Sequence, residues 1–176
     1  MLKRAQSLLF IAAIISSAAL FNITGCAGAK TANGMQEGQT RFTAADLKKL
    51  RWIEGTWRGM GDQIDKPFFE RYHFENDTTL VVESFSDETL SKVTEVTRYE
   101  LRDGKFANWD GGARWAATRI DDSSATFEPV AGARNSFRWM KQSSNTWNAM
   151  LTWPATDTSP AKQRIYQMER FRSSQQ

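Results

Sequence analysis

The sequence predicts an all-β protein, an antiparallel up-and-down β-barrel of about ten strands with a short N-terminal helix at one mouth. Three observations lead to this prediction. From Trp57 onward, apolar and polar residues alternate with period two in about ten short segments. Turn-forming clusters such as Asp103-Gly104 separate these segments, and no helical pattern lies between them. The 7 Trp and 11 Phe can fill a small barrel, whose closure removes exposed strand edges. A two-sheet sandwich is the alternative.

The chain opens with a basic and then apolar leader, residues 1–25. Lys3 and Arg4 precede a run from Ala5 to Thr24 that carries no charge and is mostly apolar. This order is typical of a secretory signal peptide. A transmembrane helix is the alternative, because the run approaches the length that spans a bilayer.

The single cysteine, Cys26, follows this leader directly. The four residues that end at Cys26, Ile-Thr-Gly-Cys, resemble a bacterial lipobox, in which the cysteine is diacylated on sulfur and becomes the mature N-terminus. The resemblance implies a lipoprotein signal peptide over residues 1–25 and lipidation of Cys26, and several acyl chains on one residue anchor a protein firmly. Ala27 follows in place of Asp, as in lipoproteins sorted to the outer membrane of Gram-negative bacteria. We therefore expect export across the inner membrane and a lipid anchor at the cell envelope, on the periplasmic face of the outer membrane.

Residues 26–42 lack periodicity and hold almost nothing to bury, so they predict a flexible tether from Cys26. Residues 43–172 then make one domain of about 130 residues. The whole chain has 23 Lys+Arg against 20 Asp+Glu, and removal of Lys3 and Arg4 leaves 21 against 20. This balance, without a block of like charge, argues against nucleic-acid binding. We expect a monomer.

The domain begins with a short amphipathic helix. Thr43 and Asp46 have the spacing of a capping box, and Leu47, Leu50 and Ile53 recur at helical spacing. We expect two to three turns that cover one mouth of the barrel. Gly55 can adopt the positive φ that ends the helix.

The strands follow in order. The first begins at Trp57, and the second alternates clearly, with Phe68, Glu70, Tyr72 and Phe74 on one face. The remaining strands are predicted at Leu80–Phe85, Lys92–Leu101, Lys105–Trp109, Ala113–Ile120, Ala125–Val130, Ser136–Lys141, Thr146–Trp153 and Gln163–Arg172.

The start of the first strand carries a family resemblance. Gly55-x-Trp57 resembles the calycin signature shared by lipocalins and fatty-acid-binding proteins. In those folds the Trp closes the bottom of the barrel and an Arg from the last strand packs over it, which implies that role for Arg170. The longer string Trp-Ile-x-Gly-x-Trp-x-Gly, ending at Gly59, is similar to a bacterial family of lipocalin-like domains of uncharacterised role. The resemblance covers roughly residues 47–172 and implies a calycin-like barrel.

The string Gly-Thr-Trp-Arg-Gly from Gly55 also resembles the opening of nitrobindins, which are haem-binding β-barrels. Nitrobindins place their axial His near the C-terminus, where this chain has Gln163 and Gln167. The only histidine, His73, falls on the face opposite Glu70, and we expect it to point to solvent. With 1 His and 1 Cys the chain cannot assemble a multi-His or Cys–His metal site. We therefore expect no metal and no cofactor.

Three mid-strand carboxylates, Glu70, Glu83 and Glu95, share a strand face with large apolar residues. An inward Glu must be paired or protonated, because burial of a bare carboxylate is costly. With Tyr72 they predict a polar patch that orients a ligand inside a cavity. Internal salt bridges to arginines, or Glu side chains that face solvent, are the alternatives.

Several tryptophans are candidates for an aromatic wall that contacts a ligand: Trp109, Trp115, Trp139 and Trp147. Small barrels are either filled by side chains or hold one small ligand, and composition leaves both possibilities open.

The sequence thus predicts a membrane-anchored lipoprotein whose barrel binds a small apolar or amphipathic ligand. The main alternative is a structural or interaction lipoprotein with a filled barrel. A haem-binding barrel and an enzyme that uses Glu70, Glu83 and Glu95 as acid and base are less favoured. No catalytic residue is assigned.

Overall fold

The computed structural model describes residues 41–61 and 66–172. The leader, Cys26 and nearly all of the tether lie outside the described residues. The described chain forms a closed barrel of ten antiparallel strands, which confirms the predicted fold class. In this part of the chain no helix has the length and apolar character needed to cross a membrane.

The helical segment is shorter than predicted. Helix α1 spans Ala44–Lys48 and is capped by Thr43 and Asp46, which form the capping box. The chain then tightens into a 3-10 turn at Arg51–Ile53. Leu47, Leu50 and Ile53 are fully buried over one end of the barrel. Their spacing of three residues matches the 3.0-residue period of a 3-10 turn better than that of a long α-helix.

Each strand pairs with the next, and β1 pairs with β10 to close the barrel. The strands are β1 Gly55–Gly61, β2 Phe68–Asn76, β3 Thr79–Phe85, β4 Val93–Arg102, β5 Lys105–Asn108, β6 Arg114–Ile120, β7 Ser124–Ala131, β8 Ser136–Lys141, β9 Thr146–Trp153 and β10 Lys162–Arg170.

The half of the barrel next to α1 is solid. Its interior holds buried aromatic rings that contact one another edge to face, such as Trp57 against Trp147 at 6.0 Å between ring centroids. Phe127 and Phe137 stack at 4.5 Å near the middle. Aromatic rings that meet edge to face stabilise the fold by more than the apolar area they bury. We call this region the aromatic core, and its rings are Trp57, Tyr72, Tyr99, Phe106, Phe127, Phe137, Trp139 and Trp147.

Glycines on the inner face of β1 make room for two rings from neighbouring strands. A Cβ atom at Gly59 would lie 2.0 Å from Cζ of Phe68, and one at Gly61 would lie 2.7 Å from Cδ1 of Tyr166. The Phe68 and Tyr166 rings meet edge to face at 5.8 Å. These glycines therefore let two aromatic rings lie against the backbone of β1.

We expect Gly59→Ala to destabilise the protein by about 1–3 kcal/mol, because the new methyl group overlaps the Phe68 ring in a packed interior. Gly112→Ala is the matched control, since a Cβ at that position meets nothing within 4 Å. The free energies of unfolding in urea measure both effects. Equal stability of the two variants would show that the Phe68 ring does not occupy the space above Gly59.

Candidate ligand-binding cleft

The barrel wall has a gap between β4 and β6, at the end of the barrel away from α1. The short strand β5 pairs with β4 only from Tyr99 to Arg102, and it pairs with β6 at Ala107 and Ala116. Residues 93–98 of β4 therefore have a strand partner only on the β3 side within the described chain. Between β5 and β6 the chain turns at Gly111, whose φ of +87° lies in the region that favours glycine.

This gap forms a cleft of about 330 Å³. One wall consists of β4 residues 95–98, and the other comes from the β5–β6 segment. Because alternate side chains of β4 point to opposite faces, Glu95 and Thr97 reach the cleft from the barrel interior, whereas Val96 and Arg98 border its outer opening. The residues of the second wall are Asn108, Asp110, Gly111, Gly112, Ala113 and Trp115.

Asn108 holds the rim of the cleft in place. Its side-chain oxygen accepts from the backbone N–H of Trp115 at 2.7 Å, and its amide nitrogen donates to the carbonyl of Ala113 at 3.1 Å. The Trp115 indole N–H donates in turn to the carbonyl of Asn135 at 2.7 Å. Asn108 is not among the residues that the sequence predicts for the site, although its position just before the Trp-Asp-Gly-Gly turn is typical of a residue that fixes a turn.

A row of polar side chains runs inward from the cleft. Strand register places Glu70 beside Ser84, and Ser84 beside Glu95. Glu70 is 1% exposed, and the Tyr72 hydroxyl donates to its Oε2 at 2.7 Å. Oε1 of Glu70 and Oγ of Ser84 have no hydrogen-bond partner among the described residues. We call Glu70, Ser84 and Glu95 the polar row.

The electrostatics of the polar row follow from its burial. Burial raises the pKa of Glu70 to about 7, the Tyr72 hydrogen bond opposes this rise, and the nearby Glu95 adds to it. The Ser84 hydroxyl lies close enough to lower the Glu70 pKa slightly, although the two side chains do not meet hydrogen-bond geometry. Burial also raises the pKa of Glu95. Both carboxyl groups therefore hold protons at a higher pH than in the unfolded chain.

Glu83 does not belong to the interior, and the expectation that it faces inward is wrong. Its side chain lies on the outer face of β3 and pairs with Arg71 at 3.3 Å. The apolar neighbours that suggested an inward face, Val81 and Phe85, are buried on the outside of the barrel. The Arg71 guanidinium covers the Phe85 ring at 4.9 Å. An acid–base pair that includes Glu83 is therefore excluded, because Glu83 lies across the wall from Glu70.

Trp109 also lies outside the barrel, contrary to the expectation that it lines a pocket. The side chain of Asn108, the last residue of β5, points into the barrel. The next side chain, that of Trp109, therefore points outward. The Trp109 indole donates to the carbonyl of Glu100 at 2.9 Å, and the Arg102 guanidinium lies 5.3 Å from the ring centroid.

Three of the aromatic candidates belong to the aromatic core and not to a pocket. Tyr72 contacts Trp139 and Trp147 at centroid distances of 5.8 and 5.4 Å. Of the four tryptophans singled out in the sequence, Trp115 is the one that lines the cleft.

The opposite end of the barrel is closed by Trp57 and Arg170. The Arg170 guanidinium lies 4.2 Å from the centroid of the Trp57 ring, and the two residues are register partners. The Trp57 indole donates to the carbonyl of Ile53 at 2.7 Å. Gly55 has a φ of +133°, and a Cβ there would lie 2.2 Å from Nη1 of Arg170. Gly55 is therefore required both for the backbone conformation and for the approach of the arginine.

His73 lies on the outer face of β2, opposite Val81. Within the described chain, no three His, Cys, Asp or Glu side chains are grouped closely enough to hold a metal ion.

No protein-family model and no curated protein matches this chain. Among solved structures, the chain is similar to one described as EF1p2_mFAP2b bound to DFHBI, at 9% sequence identity and a TM-score of 0.37. The similarity covers 71% of this chain and 98% of that chain. A similarity at this level carries no argument about what this chain binds, and the calycin resemblance stays a prediction.

Proposed function

We propose that this protein is a membrane-anchored lipoprotein that binds a small amphipathic ligand in the cleft between β4 and β6. The observation that carries the proposal is the cleft itself, whose lining includes both Trp115 and Glu95 around a space of about 330 Å³. Sites for small molecules combine an apolar wall with a few polar groups that fix orientation, and this volume is in their range.

The location of the cleft limits the kind of ligand. The aromatic core packs the interior on the side of α1, which favours a compact ligand over a long apolar chain that lies along the barrel axis. A compact ligand with one polar end fits better, because Glu95 and Thr97 lie toward the interior and the opening between Val96 and Arg98 faces solvent.

Native mass spectrometry of the full chain in lipid nanodiscs, after incubation with a small-molecule extract of the cell envelope, tests this function. We expect a bound species that disappears in Gly112→Phe. Gly112 lines the cleft, and a Cβ atom there meets nothing within 4 Å, so the added ring narrows the cleft without a clash in the wall. Ile165→Phe is the matched control, because Ile165 is 42% exposed, lies on β10 and does not line the cleft.

Retention of the bound species in Gly112→Phe would show that the ligand binds elsewhere. Absence of any bound species from the unaltered protein would contradict the proposal and favour the alternative, a structural or interaction lipoprotein. The filled aromatic core is the observation that supports this alternative.

The proposed lipid anchor depends on Cys26, and substitution of this residue tests it separately from ligand binding. Cys26→Ser should abolish incorporation of labelled fatty acid and leave the leader uncleaved, since the lipobox cysteine is the residue that is acylated. Metabolic labelling followed by a gel-shift assay measures both effects. A processed Cys26→Ser protein that still fractionates with membranes in the normal way would refute the lipid anchor.

A further inference from the structure

Negatively charged side chains outnumber positively charged ones in the lining of the cleft. Its ionisable lining residues are Glu95, Arg98 and Asp110. The Arg98 guanidinium binds both carboxylate oxygens of Glu75, with N–O distances of 2.5 and 3.1 Å, so a partner outside the cleft already neutralises it. Glu95 and Asp110 form no salt bridge in the described part of the chain. The cleft therefore presents net negative charge to a ligand.

A second carboxyl group, that of Glu70, lies in the barrel interior close to Glu95. Ser84 and Glu70 continue the polar row, and both side chains are almost completely buried. Oε1 of Glu70 and Oγ of Ser84 lack hydrogen-bond partners among the described residues. A buried carboxylate is costly unless a positive charge compensates it. A positive charge at the outer end of the row would stabilise the ionised carboxyl groups.

We propose that the ligand of this cleft is an organic ammonium compound, whose charged nitrogen Glu95 binds directly while Trp115 contacts its apolar part. This inference deepens the proposed function and rests on it. Glu70 and Ser84 do not line the cleft. They act on the ligand through Glu95, by making the electrostatic potential at its carboxyl group more negative.

The groups that face Glu70 from the neighbouring strands support this assignment. Tyr72 lies on its own strand, Ser84 on β3, and Glu95 and Tyr99 on β4. The pKa of Tyr99 is raised by burial and by both Glu70 and Glu95, so these groups act on one another. Trp57, on the β1 side, carries no charge. In the described part of the chain no lysine or arginine forms a salt bridge with Glu70 or Glu95, which leaves that role to a ligand.

Three small probes of matched shape measure the preference for positive charge. Phenethylammonium, 3-phenylpropionate and 2-phenylethanol share a ring and a similar reach, but they differ in charge. We expect isothermal titration of the full chain in zwitterionic nanodiscs to show phenethylammonium binding at least about tenfold more tightly than 3-phenylpropionate. Empty nanodiscs provide the blank for partition into lipid.

Glu95→Gln should abolish this preference, because it removes the carboxylate that binds the ammonium group and keeps the shape of the side chain. Glu83→Gln is the matched control, since Glu83 lies on the outer face of the adjacent strand. It should bind all three probes as the unaltered protein does.

Proton release provides a second readout that a merely structural role of Glu70 would not change. A bound cation favours the ionised carboxyl groups, so near pH 7 binding should release up to about half a proton per site, and above about pH 9 it should release none. Titration in two buffers with different ionisation enthalpies measures the release. Glu70→Gln should abolish most of this release and still bind phenethylammonium, because Glu95 remains.

The possible results separate this inference from the proposed function. Equal or tighter binding of 3-phenylpropionate, or a preference for phenethylammonium that survives in Glu95→Gln, would overturn the ammonium assignment and leave the cleft as a binding site. Binding of no probe, in the unaltered protein or in any variant, would overturn both.

Discussion

Trp57→Ala is expected to destabilise the protein by about 3–5 kcal/mol, as for a fully buried aromatic residue replaced by a small one. The ring contacts Trp147 and lies under the Arg170 guanidinium, and its indole N–H donates to the carbonyl of Ile53. The substitution therefore leaves a cavity where the helical cap, β1 and β10 meet. Urea unfolding followed by circular dichroism measures the loss.

Arg170→Ala should cost less, about 1–2 kcal/mol, because this side chain is only partly buried. The two losses should not add in the double variant, since residues in contact couple by about 0.5–3 kcal/mol. Trp109→Ala is the matched control, because Trp109 also lies under an arginine, but on the outer surface. If Trp109→Ala were as damaging as Trp57→Ala, closure at Trp57 would not be the principal stabilising contact.

Glu70→Gln is expected to make the protein more stable than the unaltered chain above about pH 8, by up to about 3 kcal/mol. The carboxyl pKa rises from 4.5 in the unfolded chain to about 7 in the folded protein. The folded state therefore binds the proton more tightly. Its stabilising contribution is complete below about pH 4.5 and is lost as the pH rises through about 7. Glutamine keeps an acceptor for the Tyr72 hydroxyl and never ionises.

Free energies of unfolding at about pH 5 and about pH 8 measure this effect. The two proteins should have similar stability at the lower pH and diverge at the higher one. Glu83→Gln should follow the unaltered protein at both values, because Glu83 lies on the outer face beside Arg71. Asp121, whose pKa is lowered to about 2, affects stability only at more acidic pH. A constant offset between Glu70→Gln and the unaltered protein would contradict burial of an ionisable Glu70.

Alternation and turn residues in the sequence are sufficient to predict the ten strands. The alternation of side chains along a strand is a local property. On β2 it places Glu70 and Tyr72 on one face and His73 on the other, without knowledge of any partner strand. The same reasoning fails on β3, where Leu80, Val81 and Val82 are apolar on both faces. The inner face of β3 cannot be identified without knowing which residues cover its outer face.

The outer cover comes from residues far along the chain. Phe171 packs on Phe69 at 4.9 Å, and Phe69 in turn lies beside Phe85 on the outside of the barrel. No local pattern in the sequence indicates that contact, so alternation alone predicts the wrong face for Glu83. The sequence does not predict the cleft, for a related reason. The cleft exists because β5 ends at Asn108, which leaves the first residues of β4 without a partner on that side in the part of the chain that the structure describes. The composition of a strand does not indicate where its pairing with a neighbour ends.

The most direct test of the central claim, that a ligand enters the cleft while the aromatic core stays closed, is fluorine NMR of protein labelled with 5-fluorotryptophan. Its 7 tryptophans give separate signals that single substitutions assign. On titration with phenethylammonium, the Trp115 signal should shift and saturate, and the signals of Trp57, Trp139 and Trp147 should stay in place. Shifts of the core tryptophans without a shift of Trp115, or no shift at any tryptophan with any of the three probes, would contradict the claim.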